Sequence, residues 1–258
     1  MPSVPSVTLL TVARDLQRRK ARERLALFVA EGVRAAEEVV RSPITLRGAL
    51  ISREAADGPR IRAVRTLLES RNLPVEEVSE RELASAADTE TPQGILILGE
   101  IPERDPASLQ IGSPARLLVL DGIQDPGNAG ALLRTAAALG VNASFAMPGT
   151  VDLWNAKVVR SAMGALFRHP QFAMTWDGLD DVLAARHVEL WGADAAGEPL
   201  ATLRAPDRLA LVLGNEGAGL SASASARVVR RVGIPIAPDS ESLNVAVAAG
   251  ILLHHLRP

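Results

Sequence analysis

The chain has 258 residues, 47% of them apolar and 22% charged, with 28 basic against 30 acidic side chains and no cysteine. That length suits one large domain or two modest ones. The composition is that of an ordinary globular protein and excludes a disulfide scaffold and thiolate zinc sites. The first residues lack the basic-then-apolar pattern of a signal peptide. The last apolar run is broken by Asn244 and by His254-His255, too soon to cross a bilayer, so a cytoplasmic protein is expected.

Residues 8–24 predict one helix with Leu9, Leu10, Val12, Ala13 and Leu16 inward. Within 14–24 six side chains are basic and two acidic, although the whole chain carries a net charge of −2. A cluster such as Arg18, Arg19, Lys20 and Arg22 either binds phosphate or forms a solvated helix face, and the pattern favours neither. A strand at 25–29, a helix from 33 to 40, a strand at 49–51, a helix at 60–71, a short strand at 74–78, a short helix at 80–87 and a strand at 94–99 complete a small α/β layer unit over 1–100. Residues 101–114, with Pro102, Pro106, Gly112 and Pro114, have linker composition.

A second unit, 115–258, opens on Leu117-Leu118-Val119-Leu120, a strand apolar enough to be covered on both faces. Asp125-Pro126-Gly127-Asn128 is turn chemistry, with Asn128 a candidate helix cap. The helix that follows buries Leu132, Leu133, Ala136 and Leu139 and stops at Gly140. Arg134 sits two turns in among small and apolar neighbours, where a guanidinium needs water or a partner. Further strands are expected at 143–147, 171–174, 188–191, 209–213 and 228–234, and helices at 155–166, 178–186 and 243–256. Gly214-Asn215-Glu216-Gly217-Ala218-Gly219 is spaced G-x-x-G-x-G and lies late in the chain, so it is not the dinucleotide fingerprint. Following a strand, it still lets a ligand approach backbone amides closely. Ser242 reads as an ordinary N-cap. Asn244, expected at the second helical position, is a poor helix former on a helix of Leu, Val, Ala and Ile. His169, His187, His254 and His255 have no metal-ligand spacing, so no metal is expected.

Three stretches in order, 117–136, 211–221 and 234–248, resemble the signatures of the SpoU (TrmH-type) RNA 2'-O-ribose methyltransferases of the SPOUT superfamily. The resemblance implies a C-terminal α/β domain with a deep trefoil knot and, from Phe28-Val29-Ala30-Glu31-Gly32-Val33-Arg34, an L30e-like RNA substrate-binding domain before it. It implies S-adenosylmethionine as cofactor, held by Leu213, Gly214, Gly217, Ile234, Ile236 and Leu243. It implies Asn128, Arg134, Glu216, Ser242 and Asn244 as active-site residues. It also implies a homodimer in which the Arg134 of one subunit serves the cofactor site of the other. The high guanidinium pKa makes Arg134 a clamp for phosphate and developing alkoxide rather than a base. After Ile236 the chain departs from the family pattern, with Pro238-Asp239-Ser240 where glycine is frequent. The expected activity is 2'-O-methylation of RNA, 23S ribosomal RNA being favoured. The alternatives are a tRNA methyltransferase, a catalytically silent RNA-binding adaptor and a small-molecule methyltransferase.

Overall fold

The computed structural model describes residues 8–239 and 242–257, so Ser240 of the departing loop and the N-terminal segment lie outside the described residues. The chain forms two compact units, one running to Glu103 and taking in Trp154–Arg168, the other made of Arg104–Leu153 and the chain from His169 onward. The expected contiguous unit from 115 is therefore interrupted, because 154–168 belongs with the first unit.

In the first unit the expected single helix at 8–24 is two, α1 (Leu9–Asp15) and α2 (Arg19–Leu25). Leu16, 2% exposed, turns into the core between them. The Arg22 guanidinium fills that corner, its Nη1 donating to the carbonyls of Leu16 (2.7 Å) and Gln17 (3.0 Å), which a continuous helix would have satisfied itself. Leu25 thus completes α2 and Ala26 ends it at φ 50°, so the strand expected at 25–29 starts two residues later as β1 (Leu27–Glu31). Then come α3 (Val33–Val40), β2 (Leu46–Ser52), α4 (Pro59–Glu69), β3 (Val75–Val78), α5 (Glu80–Ala84) and β4 (Ile95–Glu100). The sheet runs β1-β4-β2-β3, with β4 antiparallel to both neighbours and β2 parallel to β3. Ile95, Leu96, Ile97 and Leu98 are fully buried at its centre.

The second unit holds β5 (Ala115–Leu120), α6 (Pro126–Ala138) and β6 (Ala143–Ala146). The chain then returns to the first unit, where α7 (Ala156–Ser161) replaces the longer helix expected at 155–166. There the Trp154 and Phe167 rings lie 4.5 and 5.8 Å from Phe28 in β1. The second unit resumes with β7 (Gln171–Ala173), α8 (Trp176–Arg186), β8 (Glu189–Pro199), β9 (Arg208–Leu213), α9 (Ala222–Ser225), β10 (Arg230–Gly233) and α10 (Val245–Leu256). Its sheet is parallel throughout, in the order β10-β8-β9-β5-β6-β7. Every residue of the organising strand β5 is buried, as its apolar run requires. Arg116 is 6% exposed there, its guanidinium donating to the carbonyls of Ala115, Pro206, Asp207 and Leu256. The segment expected as a linker at 101–114 is pinned. Arg186 donates to the carbonyls of Pro106 (3.0 Å), Ala107 (2.9 Å) and Leu109 (3.1 Å). Among the described residues no helix is long and apolar enough to cross a membrane.

Candidate active site

Ligands of parallel α/β sheets bind beyond the carboxyl ends of the strands. Here three chain segments meet beyond β5 and β9. The N-cap of α6 is Asp125, not the expected Asn128. Asp125 Oδ1 accepts from the Asn128 amide (2.7 Å), and Pro126 takes the first helical position, where a missing N–H costs nothing. The Asn128 side chain is thereby freed for other partners. Its Nδ2 donates to Glu216 Oε1 (2.9 Å) and its Oδ1 accepts from Asn244 Nδ2 (2.9 Å). Asn244 is itself the N-cap of α10, accepting from Ala246 N (2.9 Å) and Val247 N (3.3 Å), so neither the Ser242 cap nor a helical Asn244 is found. A poor helix former at a cap needs no further explanation. Its second contact, to Asn128, is what joins the first and third signatures.

The glycine loop after β9 closes on itself. Asn215 and Gly219 exchange both backbone hydrogen bonds at 2.9 Å. Asn215 Oδ1 accepts from Gly217 N and Ala218 N (3.0 Å each), and its Nδ2 donates to Gly122 O (2.9 Å). Asp121, 2% exposed, accepts from Ser221 N at 2.7 Å. These two side chains, unremarked in the sequence, lash the first signature to the second.

The loop, the β9 end and the start of α10 enclose a cavity of about 400 Å³. Leu213, Gly214, Ile234, Ile236 and Leu243 line it, with Asn128, Glu216, Ser242 and Asn244 also at its wall. Gly217, expected there, does not line it; it is exposed and shapes the loop. A wall that sequence reading missed comes from Ala193, Asp194 and Ala195, because β8 runs well beyond Trp191. The signal was the small-residue run 192–197. The Ala196 amide, and then Arg231, hold the Asp194 carboxyl below the usual carboxylate range against the opposing effect of burial. Among the described residues no group of His, Cys, Asp and Glu is arranged to hold a metal ion.

Arg134 is not brought to this cavity. It is exposed on α6 and lines a separate one of about 600 Å³ with Leu139, Leu200, Ile251 and His254. Of the basic cluster in the first unit, Arg18 pairs with Asp15 (2.5 Å), Arg19 with Glu23 (2.7 Å), and Lys20 is exposed. Arg22, 5% exposed and spent on the α1–α2 corner, is corrected from an RNA-facing residue to a structural one.

A parallel sheet whose strand ends, glycine loop and helix cap line one mainly apolar cavity with an amide–carboxylate chain at its wall defines an α/β protein with a small-ligand site. The chain belongs to the SpoU rRNA Methylase family, whose model matches residues 115–254, and an MRM3-like substrate binding domain matches residues 11–97. It is 33% identical over 245 residues to the 23S rRNA (guanosine(2553)-2'-O)-methyltransferase RlmP of Bacillus subtilis, covering 95% of this chain and 94% of that one. Over 150 residues it is 37% identical to the 23S rRNA (guanosine-2'-O-)-methyltransferase RlmB of Neisseria meningitidis, covering 57% of this chain and 60% of that one. Among solved structures it resembles the SpoU methyltransferase AviRb of Streptomyces viridochromogenes in complex with AdoMet, with a TM-score of 0.86, 25% identity and 96% of each chain covered.

Proposed function

We propose that this chain transfers a methyl group from S-adenosylmethionine to a ribose 2'-hydroxyl of RNA, with 23S ribosomal RNA as substrate. The observation that carries the reading is the Glu216–Asn128–Asn244 chain at the wall of an apolar cavity beyond the strand ends. The cavity fits the cofactor. Its volume lies in the range of small-molecule sites, and its walls are strand-end backbone and aliphatic side chains that suit an adenosine. Gly214 leaves the loop backbone bare where a side chain could not stand. Leu213, Gly214, Ile234, Ile236 and Leu243 would hold it.

When bound, S-adenosylmethionine supplies an electrophilic methyl on a positively charged sulfur. The chain's own work is then positioning and charge. Asn128, fixed from both sides, orients the ribose, and Glu216 and Asn244 fix Asn128. Ser242 completes the polar rim. Arg134 clamps the substrate phosphate and stabilises the alkoxide as it develops.

Arg134 stands at a different cavity from this network, which supports a homodimer with shared sites. On α10, Val247 (52% exposed) and Ile251 (40%) stand four residues apart, an exposed apolar pair suited to a second copy. We further propose the trefoil knot for the C-terminal unit, the L30e-like RNA-binding role for residues 1–100, with Arg18, Arg19 and Lys20 at the RNA, and a cytoplasmic location. Transfer of tritiated methyl to ribosomal RNA and, separately, to tRNA tests the activity, with nuclease mapping of the labelled nucleotide. Label in 23S RNA is expected. Label in tRNA alone, or cofactor binding without transfer to either, would overturn the reading. Mixing inactive Arg134→Ala and Asn244→Ala chains tests the dimer, because only shared sites recover activity.

A further inference from the structure

The first unit holds a cleft of about 280 Å³, where the turn from β1 into α3 faces the loop at 89–93 and the end of α7. We infer that it seats one unstacked nucleotide of the RNA substrate, its phosphate taken by Arg34 and its base edge met by Thr91 and Gln93. This deepens the proposed function and rests on it for the identity of the RNA.

The frame of the cleft is rigid. Glu31, 4% exposed, accepts from Asp88 N (2.8 Å), Thr89 N (3.3 Å) and the Thr89 hydroxyl, which fixes the loop. Arg160 is tied to Asp88 (3.2 Å) and stands 3.7 Å from Glu31, so it offsets one of these two carboxylate charges, and the Glu31 oxygens are occupied by the donors of the 88–89 loop. One Arg160 nitrogen, Nη1, is buried with no hydrogen-bond partner, an uncommon expense for a guanidinium that marks the wall as under-satisfied. The groups at the rim are unspent. Arg34 is exposed and makes no hydrogen bond or ion pair among the described residues, unlike Arg18, Arg19, Arg60 and Arg65 of the same unit; its charge acts at a distance on Glu37, which Arg60 already pairs. Gln93 gives only its carbonyl, to Val33 N at 3.3 Å, which leaves its amide hydrogens for a ligand. The exposed Thr91 hydroxyl is likewise unused.

The first turn of α3 has no acidic residue and no side-chain cap, so its positive end adds to Arg34. Met163, at the opposite wall, holds a left-handed φ of 51°, a conformation that costs a non-glycine residue energy and gathers at functional sites. A single free cation, a free amide and a hydroxyl around a pocket of base size match the way single-stranded RNA is read, by an extruded base met at its edge.

The test measures retention of unmodified 23S RNA transcript on filters by the full chain. Arg34→Ala and Gln93→Ala should each weaken binding by about ten-fold, and Arg34→Ala should lower the salt slope by about one. Thr91→Trp, an exposed residue whose bulk plugs the cleft, should do as much without a fall in melting temperature. Arg62→Ala, which removes an exposed cation outside the cleft, is the control and should change binding less than two-fold. At saturating RNA the turnover number should be native in all four, with KM raised in Arg34→Ala, Gln93→Ala and Thr91→Trp and not in Arg62→Ala. Native affinity for Arg34→Ala and Thr91→Trp overturns the nucleotide site, as does an Arg34→Ala loss no larger than that of Arg62→Ala. Binding is read without methyl transfer, so an inactive wild-type chain would refute the proposed function while still deciding the cleft.

Discussion

Gly214→Ala tests whether the cofactor wall depends on close approach of two backbones. A Cβ at Gly214 would stand 2.3 Å from both the carbonyl carbon and the oxygen of Gly219 and 2.6 Å from Leu220 N. No rotamer relieves a clash with backbone, so the turn must retreat by about 1 Å to reach ordinary separation. That retreat breaks the reciprocal Asn215–Gly219 pair, whose two hydrogen bonds are worth about 1 kcal/mol each net. Overpacking strain adds about 1–3 kcal/mol. A loss of about 3–5 kcal/mol is expected, which for a chain of this size lowers the melting midpoint by about 6–20 °C. Calorimetric titration with S-adenosylmethionine, well below that midpoint, should show affinity reduced by about ten-fold or more, since 1.4 kcal/mol suffices for that. Two neighbours calibrate the result. Gly219, at φ +68° with open space around it, pays only the left-handed penalty of about 1–2 kcal/mol on change to alanine. Gly217, with its nearest neighbour 3.8 Å away, should tolerate alanine within about 0.5 kcal/mol. Native melting and native cofactor affinity in Gly214→Ala would refute the reasoning.

Arg134→Ala should lower methyl transfer by about a hundred-fold or more while cofactor affinity stays native, because the residue lies outside the cofactor cavity; near-native turnover would remove its proposed role. Neutralising Arg18, Arg19 and Lys20 together should flatten the salt dependence of RNA binding by about two to three in slope, whereas Arg22→Ala should cost stability and leave the slope alone. His169, 5% exposed beside Ser144, is pulled down to about 4 by burial and then by the Arg104 guanidinium. Its folded pKa lies below the unfolded value, so its contribution is complete above pH of about 6.5 and is lost as pH falls toward 4, by up to about 3 kcal/mol. Urea unfolding of His169→Gln between pH 7 and 4.5 should be correspondingly flatter than that of the native chain, and parallel curves would discard the assignment.

The parallel sheet was legible because strands covered on both faces are written as unbroken apolar runs, as in 117–120 and 209–213. The helix termini were less so. Asp125 and Asn128 are both good caps, as are Ser242 and Asn244, and only the fold decides which side chain is free to cap. The α1–α2 corner leaves no mark in the sequence because the residue that stabilises it, Arg22, looks there like one more surface cation. The gathering of Asn128, Glu216 and Asn244 came from the family resemblance; no local pattern relates residues separated by 88 and 116 positions. Asn215 and Asp121 carry the loop geometry through backbone partners, which leave no periodic trace.

The passage of the chain out of the second unit at Trp154 and back after Arg168 has a consequence for cooperativity. A fragment ending near residue 103 would lack the Trp154 and Phe167 rings that lie over Phe28, and would expose an aromatic face it cannot cover. Each unit is fed by more than one piece of chain, so neither can be completed until the other has been at least partly traversed. The two should then melt in a single transition rather than two, and a fragment of the first unit should be a poor proxy for its RNA affinity in the whole protein.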